Sequence, residues 1–486
     1  MTQTTPLTAI QLAAAYEAGK LTPLDAVEDC LARITHFEPV HRATYVVDAE
    51  RAKADAREST RRWIQGAHLG PLDGIPFTAK ENQARQGLPQ SYGTAGRVPV
   101  TAAADSPPVA RLREAGAIFI ASTTMPDLSG IGSGISSRHG ITRNAWNPAW
   151  NPAGSSSGAA VAAALGYAPI NIGTDIGGSV RAPASFNAVV GFKPTFGRVP
   201  ILDTYTGRVA GPMSRTVADA ALAMSALALP DDRDWSALPP EVINWTDLEI
   251  DISILRIGLS LEPVPGARAT PEVEDIVLRA AETFRAGGAQ IEEIAPYLTS
   301  EEAQSWTTLF SAHLWAQLNN PRIIDDIGAA NPEFVQALAP VADMPALALI
   351  RGIDAVQELI AQTVAAIEKF DIVLSPVLWM AGGDADSLMS ELGDGPSFTP
   401  QHNATGAPAV SINAGFTAEG RPVGLQIIGP RRQDLRVLQV ANWFEMHRVE
   451  EARPEWRNST QIEFSVPRSP ERRYPNGGCH DWHRNR

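Results

Sequence analysis

Cysteine is almost missing from this chain: Cys30 and Cys479 are the only two among 486 residues. Cys30 falls in an amphipathic, helix-like stretch and Cys479 in a polar tail, so no disulfide framework is expected, and a reducing compartment fits. Positive charge is also in short supply. Lys and Arg number 40 against 54 Asp and Glu, a formal net charge of −14. That balance argues against a nucleic-acid or anionic-membrane partner. No apolar run reaches the roughly 18 residues of a membrane span. The first 20 residues lack a basic segment followed by an apolar core, so no signal peptide is expected. These absences lead us to expect a soluble, cytoplasmic protein. No His-Glu-x-x-His or Cys/His spacing supports a metal site, so no metal is expected.

What is present is ordinary globular material, with 44% hydrophobic and 19% charged residues. The chain is long enough for one large or two medium domains. Apolar spacing near 3.6 predicts a helix over 7–18. Thr22-Pro23-Leu24-Asp25 reads as an N-cap, a proline at the first helical position and an acidic third residue. Further helices are expected over 49–65, 109–115, 157–165, 217–228, 271–286, 301–320, 351–369 and 433–446. Strands are expected over 74–79, 118–121, 170–174, 255–259, 372–374, 409–414 and 423–428. Alternation of this kind predicts an α/β architecture, a twisted mixed sheet with helices on both faces. Residues 229–252 read as a Pro/Asp/Trp-rich connection. Residues 380–400, with Asp384, Asp386, Glu391 and Asp394 and no basic residue, read as a long functional or disordered loop.

Two serine–glycine clusters lie 24 residues apart (179 − 155). The first is Pro152-Ala153-Gly154-Ser155-Ser156-Ser157-Gly158; the second is Gly173-Thr174-Asp175-Ile176-Gly177-Gly178-Ser179-Val180-Arg181. Serines before an alanine-rich helix are good capping residues, which alone would explain the first cluster. Two adjacent glycines before Ser179 suggest a backbone that approaches something closely. Successive N–H groups in such a turn make an anion-binding nest suited to a tetrahedral oxyanion. A serine nucleophile needs a base, and none of the nine histidines sits in a hydrolase signature. His139, in a turn upstream of the first cluster, reads as structural. A lysine can serve instead, and Lys80 ends the apolar segment Ile75-Pro76-Phe77-Thr78-Ala79.

The run Gly70-Pro71-Leu72-Asp73-Gly74-Ile75-Pro76 with Lys80-Glu81-Asn82, then Thr123-Thr124-Met125-Pro126, then the two clusters, resembles the amidase signature family. Gly191-Phe192-Lys193-Pro194-Thr195 and Gly424-Leu425-Gln426-Ile427-Ile428-Gly429 are similar to it too. The resemblance spans roughly 5–450, most specifically 70–200. It implies one large domain over 5–466, with the arginine-bearing segment from Pro467 to Arg486 as a disordered tail. It implies a nucleophile at Ser179, a bridging serine at Ser155 after a cis peptide, and a base at Lys80. Backbone N–H groups of Ile176, Gly177, Gly178 and Ser179 would form the oxyanion hole. Ser129 would meet the acyl group, and Ser156, Thr174, Asp175 and Arg181 would brace the triad. The implied activity is cofactor-free hydrolysis of a small aryl or alkyl amide through a seryl acyl-enzyme, with esters or carbamates open to the same chemistry. The resemblance also implies a homodimer as a possible state.

An alternative is the glutaminase subunit of a tRNA-dependent amidotransferase, though Ser305-Trp306-Thr307-Thr308-Leu309 lacks that subunit's usual segment. A non-catalytic scaffold is the other alternative, and the intact Lys80, Ser155 and Ser179 count against it. The chain departs from the family at Ala153, Ser157, Ala159, Glu81, Ala145 and Asn413, none of them a triad position. An apolar acyl pocket is expected around 129–135, Trp146, and the loop bearing Trp379, Met380, Leu388 and Met389.

Overall fold

Local signals set where the elements begin. Thr22 accepts the Asp25 N–H at 3.2 Å while Asp25 accepts the Thr22 N–H at 2.8 Å, a reciprocal capping box that opens the helix Pro23–His41. Thr8 and Gln11 do the same for Ala9–Glu17. Apolar runs rich in Ile, Val and Phe then supply buried strands between such helices. The computed structural model describes residues 5–387 and 398–448. The expected tail from Pro467, the boundary at 466, and Leu388, Met389, Glu391 and Asp394 lie outside the described residues.

The described strands that form the core sheet are β1 (Thr44–Val47), β2 (Pro76–Lys80), β3 (Ile118–Thr123), β4 (Ile170–Asp175), β5 (Val190–Lys193), β6 (Val209–Ser214), β7 (Arg256–Leu259), β8 (Gln290–Glu293), β9 (Ile372–Pro376), β10 (Ala409–Phe416) and β11 (Pro422–Ile428). They make one 11-stranded sheet in the order β1-β3-β2-β4-β6-β5-β10-β11-β9-β7-β8. The pairs β2–β3, β2–β4, β7–β8 and β7–β9 are parallel and the others antiparallel. The sheet is therefore mixed, as expected.

Both faces carry helices. Side chains alternate along β3: Phe119 packs in one core, while Ile118 and Ile120 pack in another. The first core holds the helices Ala9–Glu17, Pro107–Glu114, Val217–Leu227, Pro271–Ala286 and Asp434–His447; the second holds Pro23–His41, Ala49–Ile64 and Ser157–Leu165. Each large side chain sealed in these layers stabilises the fold by roughly 1.5–3 kcal/mol. Truncating Phe77, fully buried in the first core, to alanine costs about 3–5 kcal/mol.

Helix Ser157–Leu165 is buried along its whole length. Its small side chains allow a close approach: a Cβ on Gly158 would meet the Ala43 carbonyl oxygen at 2.4 Å. The serine of the first cluster is thereby held against the sheet. Four strands, β1, β5, β6 and β8, lie outside the expected set. Segments 190–193 and 209–214 contain Gly191, Gly211 and Pro212, residues that weaken a strand signal, yet form β5 and β6 in mid-sheet. There the missing Cβ is useful, since one on Gly211 would strike the Phe192 carbonyl oxygen.

Candidate active site

Strands β2 and β4 are parallel neighbours, with Thr78 opposite Asn171 and Ala79 opposite Ile172. Their carboxyl ends therefore lie side by side, where open α/β sheets place ligands. Lys80 ends β2; Thr174 and Asp175 end β4. The turn before helix Ser157–Leu165 brings the first cluster to the same point.

Lys80 is 0% exposed. Its Nζ lies 2.8 Å from Ser155 Oγ, 3.1 Å from Thr174 Oγ1 and 3.3 Å from Ser156 Oγ. Burial pushes its pKa well below the usual lysine value. The Arg208 charge adds to that push, while Asp175 and Glu81 oppose it. A neutral amine has two N–H donors and one lone pair. Three hydroxyl oxygens surround the Lys80 nitrogen, with Ser155 the closest.

The peptide bond between Gly154 and Ser155 is cis. Ala153, where glycine is usual in the resemblance, has φ +56°. That left-handed conformation favours glycine, so alanine here carries strain. The helix begins at the serines, as the capping argument expects, but Ser156 makes no side-chain cap. Its Oγ instead accepts the Thr174 N–H and donates to the Thr174 carbonyl, both at 3.1 Å. The Ser156 N–H donates to the Ser179 carbonyl at 3.2 Å, which ties the two clusters together.

The second turn is held from behind. Asp175 accepts from the Gly178 N–H at 2.8 Å, the Val180 N–H at 3.0 Å and Arg181 Nη2 at 2.9 Å. Arg181 also donates to Gln426, Asn403 and the Thr399 carbonyl. Burial opposes ionisation of Asp175, but Arg181 and these N–H donors outweigh it and hold the carboxyl below the usual range. Carbonyls of the turn are anchored as well: Trp306 donates to Ile176 O at 2.8 Å and Thr399 to Gly177 O at 2.6 Å. Gly178 has φ +122°, and a Cβ there would meet Thr399. A Cβ on Gly177 would meet nothing within 4 Å, so open space lies over that residue. Ser179 is half-exposed while Lys80 and Ser155 are buried.

Ser129 faces the same site. Its Oγ lies 3.4 Å from Asn82 Nδ2, and Asn82 also donates to Thr174 Oγ1 at 3.1 Å. Leu128 and Ser129 have φ +49° and +59°, consecutive left-handed residues of the kind that cluster at functional sites. Trp146 stacks edge-on against Phe416 at 5.3 Å and donates to the Asn187 carbonyl at 2.9 Å. Trp379 packs with Val273, Ile276 and Phe398. The apolar residues that share a cluster with Ile176 include Leu298, Trp306 and Leu359, with Tyr205, Leu309 and Phe310 against them. The helix Ser300–Leu318 therefore supplies this wall. His139 is taken up by Glu81 at 3.1 Å and Tyr45 at 4.7 Å, a packing role as expected.

The Amidase family model matches residues 25–438. This chain belongs to the amidase family. It is 31% identical over 458 residues to an acylamidase of Rhodococcus erythropolis, covering 90% of this chain and 95% of that one. It is also 31% identical over 487 residues to a glutamyl-tRNA(Gln) amidotransferase subunit of Synechococcus sp. (strain CC9605), covering 90% and 96%. Among solved structures, a bacterial aryl acylamidase of the amidase signature family superposes with TM-score 0.82 at 25% identity, covering 91% of this chain and 96% of that one. The peptide amidase of Stenotrophomonas maltophilia gives TM-score 0.80 at 28% identity, covering 90% and 96%. The protein is thus an amidase signature enzyme, a hydrolase of carbon–nitrogen amide bonds.

Several residues at this amidase site carried no assigned role in the sequence. Asn82 and Gln426 lie inside segments that resembled the family, so their positions were in view. Thr399, Asn403 and Trp306 had no local signal; each reaches the turn from more than 100 residues away, as their hydrogen bonds show. Among the described residues, no group of His, Cys, Asp and Glu could hold a metal ion, and no single helix is long and apolar enough to cross a membrane.

Proposed function

We propose that the protein hydrolyses a small aryl or alkyl amide through an acyl-enzyme on Ser179, with Ser155 as proton relay and Lys80 as base. The observation that carries this is the sealed Lys80 amine, its pKa lowered by burial, 2.8 Å from Ser155 Oγ. A base of this kind must be unprotonated near neutral pH, and burial is what lowers a lysine that far.

In the proposed reaction Ser179 Oγ forms a bond to the carbonyl carbon. Its proton passes to Ser155, and the Ser155 proton passes to Lys80 Nζ. The carbonyl π pair moves onto oxygen. N–H groups of Ile176, Gly177 and Ser179 receive that charge over the open face of Gly177. The Gly178 N–H, expected as a fourth donor, is already committed to Asp175. Collapse breaks the C–N bond, and the relay returns its proton to the leaving amine. Water then attacks the ester carbonyl, loses its proton along the same relay, and frees the acid and Ser179.

Fixing the N–H groups beforehand matters because removing one oxyanion donor typically costs 100-fold or more in kcat. Asp175, Thr399 and Trp306 do that fixing. The apolar wall from helix Ser300–Leu318 suits an uncharged alkyl or aryl group near the reacting carbonyl.

The test is a panel of aryl amides, aliphatic amides, carbamates and esters given to the purified chain and to Ser179→Ala. Amide turnover that vanishes in Ser179→Ala is expected. Equal rates in the two proteins would overturn the assignment. The similarity to amidotransferase subunits favours a second reading, a glutaminase acting with partner subunits. Turnover of simple amides by the single chain, without glutamine or partners, would reject it.

A further inference from the structure

A cationic residue stands beside the Ser179 turn, and its one side-chain partner among the described residues is a backbone carbonyl rather than a carboxylate. Arg208 immediately precedes β6, which runs antiparallel to β4 with Val209 opposite Asp175 and Ala210 opposite Thr174. One step further in this register sets Arg208 beside Ile176, where the nucleophile turn begins. Its backbone is well held. The Arg208 N–H donates to the Tyr205 carbonyl at 2.9 Å. Gly207 is wedged against Trp306 and Asn403, and Asn403 donates to the Gly207 carbonyl at 3.0 Å. Trp306 and Asn403 also brace the Ser179 turn, so the two segments share one support.

The side chain is half-buried. Its guanidinium donates to the Asp203 carbonyl at 3.1 Å. The Asp203 carboxylate itself accepts from the Tyr92 hydroxyl at 3.0 Å. Among the described residues, no carboxylate is paired with Arg208. A guanidinium is a planar fork that matches a carboxylate with two parallel N–H···O bonds, and most of that capacity is unspent here. The charge is felt inside the site. After burial, Arg208 is the next cause lowering Lys80, and also His313, which lies against Tyr205 at 4.1 Å.

We propose that Arg208 selects the substrate: it pairs with a carboxylate carried a few bonds from the scissile carbonyl, so the preferred amides are anionic. A chain of net charge −14 repels anions at long range, and a local cation at the mouth of the site reverses that where it counts. The oxyanion turn and this cation lie side by side, so one ligand can span both. The proposal deepens the Ser179 reading and rests on it for catalysis, but not for binding.

The experiment uses two matched pairs of probes. N-succinyl-4-nitroaniline against N-butyryl-4-nitroaniline places the carboxylate on the acyl side. 4-Acetamidobenzoate against acetanilide places it on the amine side. Wild type should favour the anionic member of one pair, which also fixes the side on which Arg208 acts. Arg208→Gln should lower kcat/KM for that member by about 10- to 100-fold, chiefly through KM, as expected for a charge-assisted hydrogen bond. The neutral member should fall clearly less than the anionic one, and Arg208→Lys, which keeps the charge felt by Lys80, should regain part of the preference. Added salt should weaken the preference. An equal fall for both members, or a wild-type preference for the neutral member of both pairs, overturns the proposal.

Calorimetry on the Ser179→Ala protein separates this from the hydrolytic reading. Tighter binding of the anionic probe that disappears in Ser179→Ala/Arg208→Gln supports Arg208, even if wild type cleaves no amide. Turnover of neutral amides without any charge preference leaves Ser179 in place and removes the role of Arg208.

Discussion

Lys80 and Lys193 each end a strand of the same sheet, and each is 0% exposed. Burial pushes both below the usual lysine value, Lys193 to about 7. Their partners differ. Lys80 Nζ has three hydroxyls within 3.3 Å. Lys193 Nζ has a single carbonyl partner, Pro194 O, at 3.2 Å. A carbonyl has no proton to hand over, whereas a hydroxyl has one and can receive another. The Lys80 hydroxyls also adjoin the turn that presents the half-exposed Ser179. Burial therefore sets the ionisation of both amines, and the surrounding donors and acceptors decide which one has chemistry. A lowered pKa alone would not distinguish them.

The largest expected effect comes from exchanging the amine for a chain of similar volume at each place. Lys80→Met should stay folded and lose roughly 1,000-fold or more in kcat/KM on a hydrolysed amide, the range of a triad base. Lys193→Met should lose less than about tenfold, since among the described residues no hydroxyl adjoins its amine to relay a proton. Comparable losses at the two positions would break the comparison. Steady-state kinetics with a thermal melt for each variant reads both.

Next comes the frame behind the Ser179 turn. Arg181→Met leaves the Asp175 carboxylate buried without its charge partner. Breaking a buried pair in this way costs about 3–5 kcal/mol, read as a lower denaturation midpoint. A stability unchanged within about 1 kcal/mol would mean that the Asp175–Arg181 pair is not what braces the turn.

A subtler distinction is in pH. The folded protein releases the Lys193 proton near pH 7, but the unfolded chain holds it up to the ordinary lysine value of 10.5. Between these values the unfolded state binds more protons, so stability rises with pH. The contribution of Lys193 should climb by about 1.4 kcal/mol per pH unit across that window. The stability–pH curve of Lys193→Met, subtracted from that of wild type, should show this slope. A flat difference would place the folded pKa near its ordinary value. The smallest effect is expected from Thr399→Val, which removes the donor to Gly177 O. It should cost about 1 kcal/mol in stability and slow kcat by severalfold with KM nearly unchanged.

Much of this organisation could be read from residue order. The Thr22–Asp25 capping box and the helices at 217–228 and 271–286 followed from local chemistry, which acts within a few residues. The serine turns and Lys80 were legible because glycine, serine and a strand-end lysine are rare in that combination. β5 and β6 were not, since Gly191, Gly211 and Pro212 look like punctuation until neighbouring strands press against them. The bracing set was hidden for a similar reason. Trp306, Thr399 and Asn403 meet the Ser179 turn only through the fold. Trp146 and Trp379 were in view from the sequence, but their partners Phe416 and Phe398 were not, since each comes from another segment. Arg208 gave no local signal at all; its place beside Ile176 comes from the β4–β6 register.

The central claim is that Ser179 is the nucleophile and Lys80 drives its deprotonation. The direct measurement is mass spectrometry of the intact and digested protein after reaction with a serine-directed fluorophosphonate. One adduct should form, located on Ser179, absent in Ser179→Ala, and formed at least about 100-fold more slowly in Lys80→Met. An adduct on a different residue, or labelling of Lys80→Met at the wild-type rate, would contradict the account.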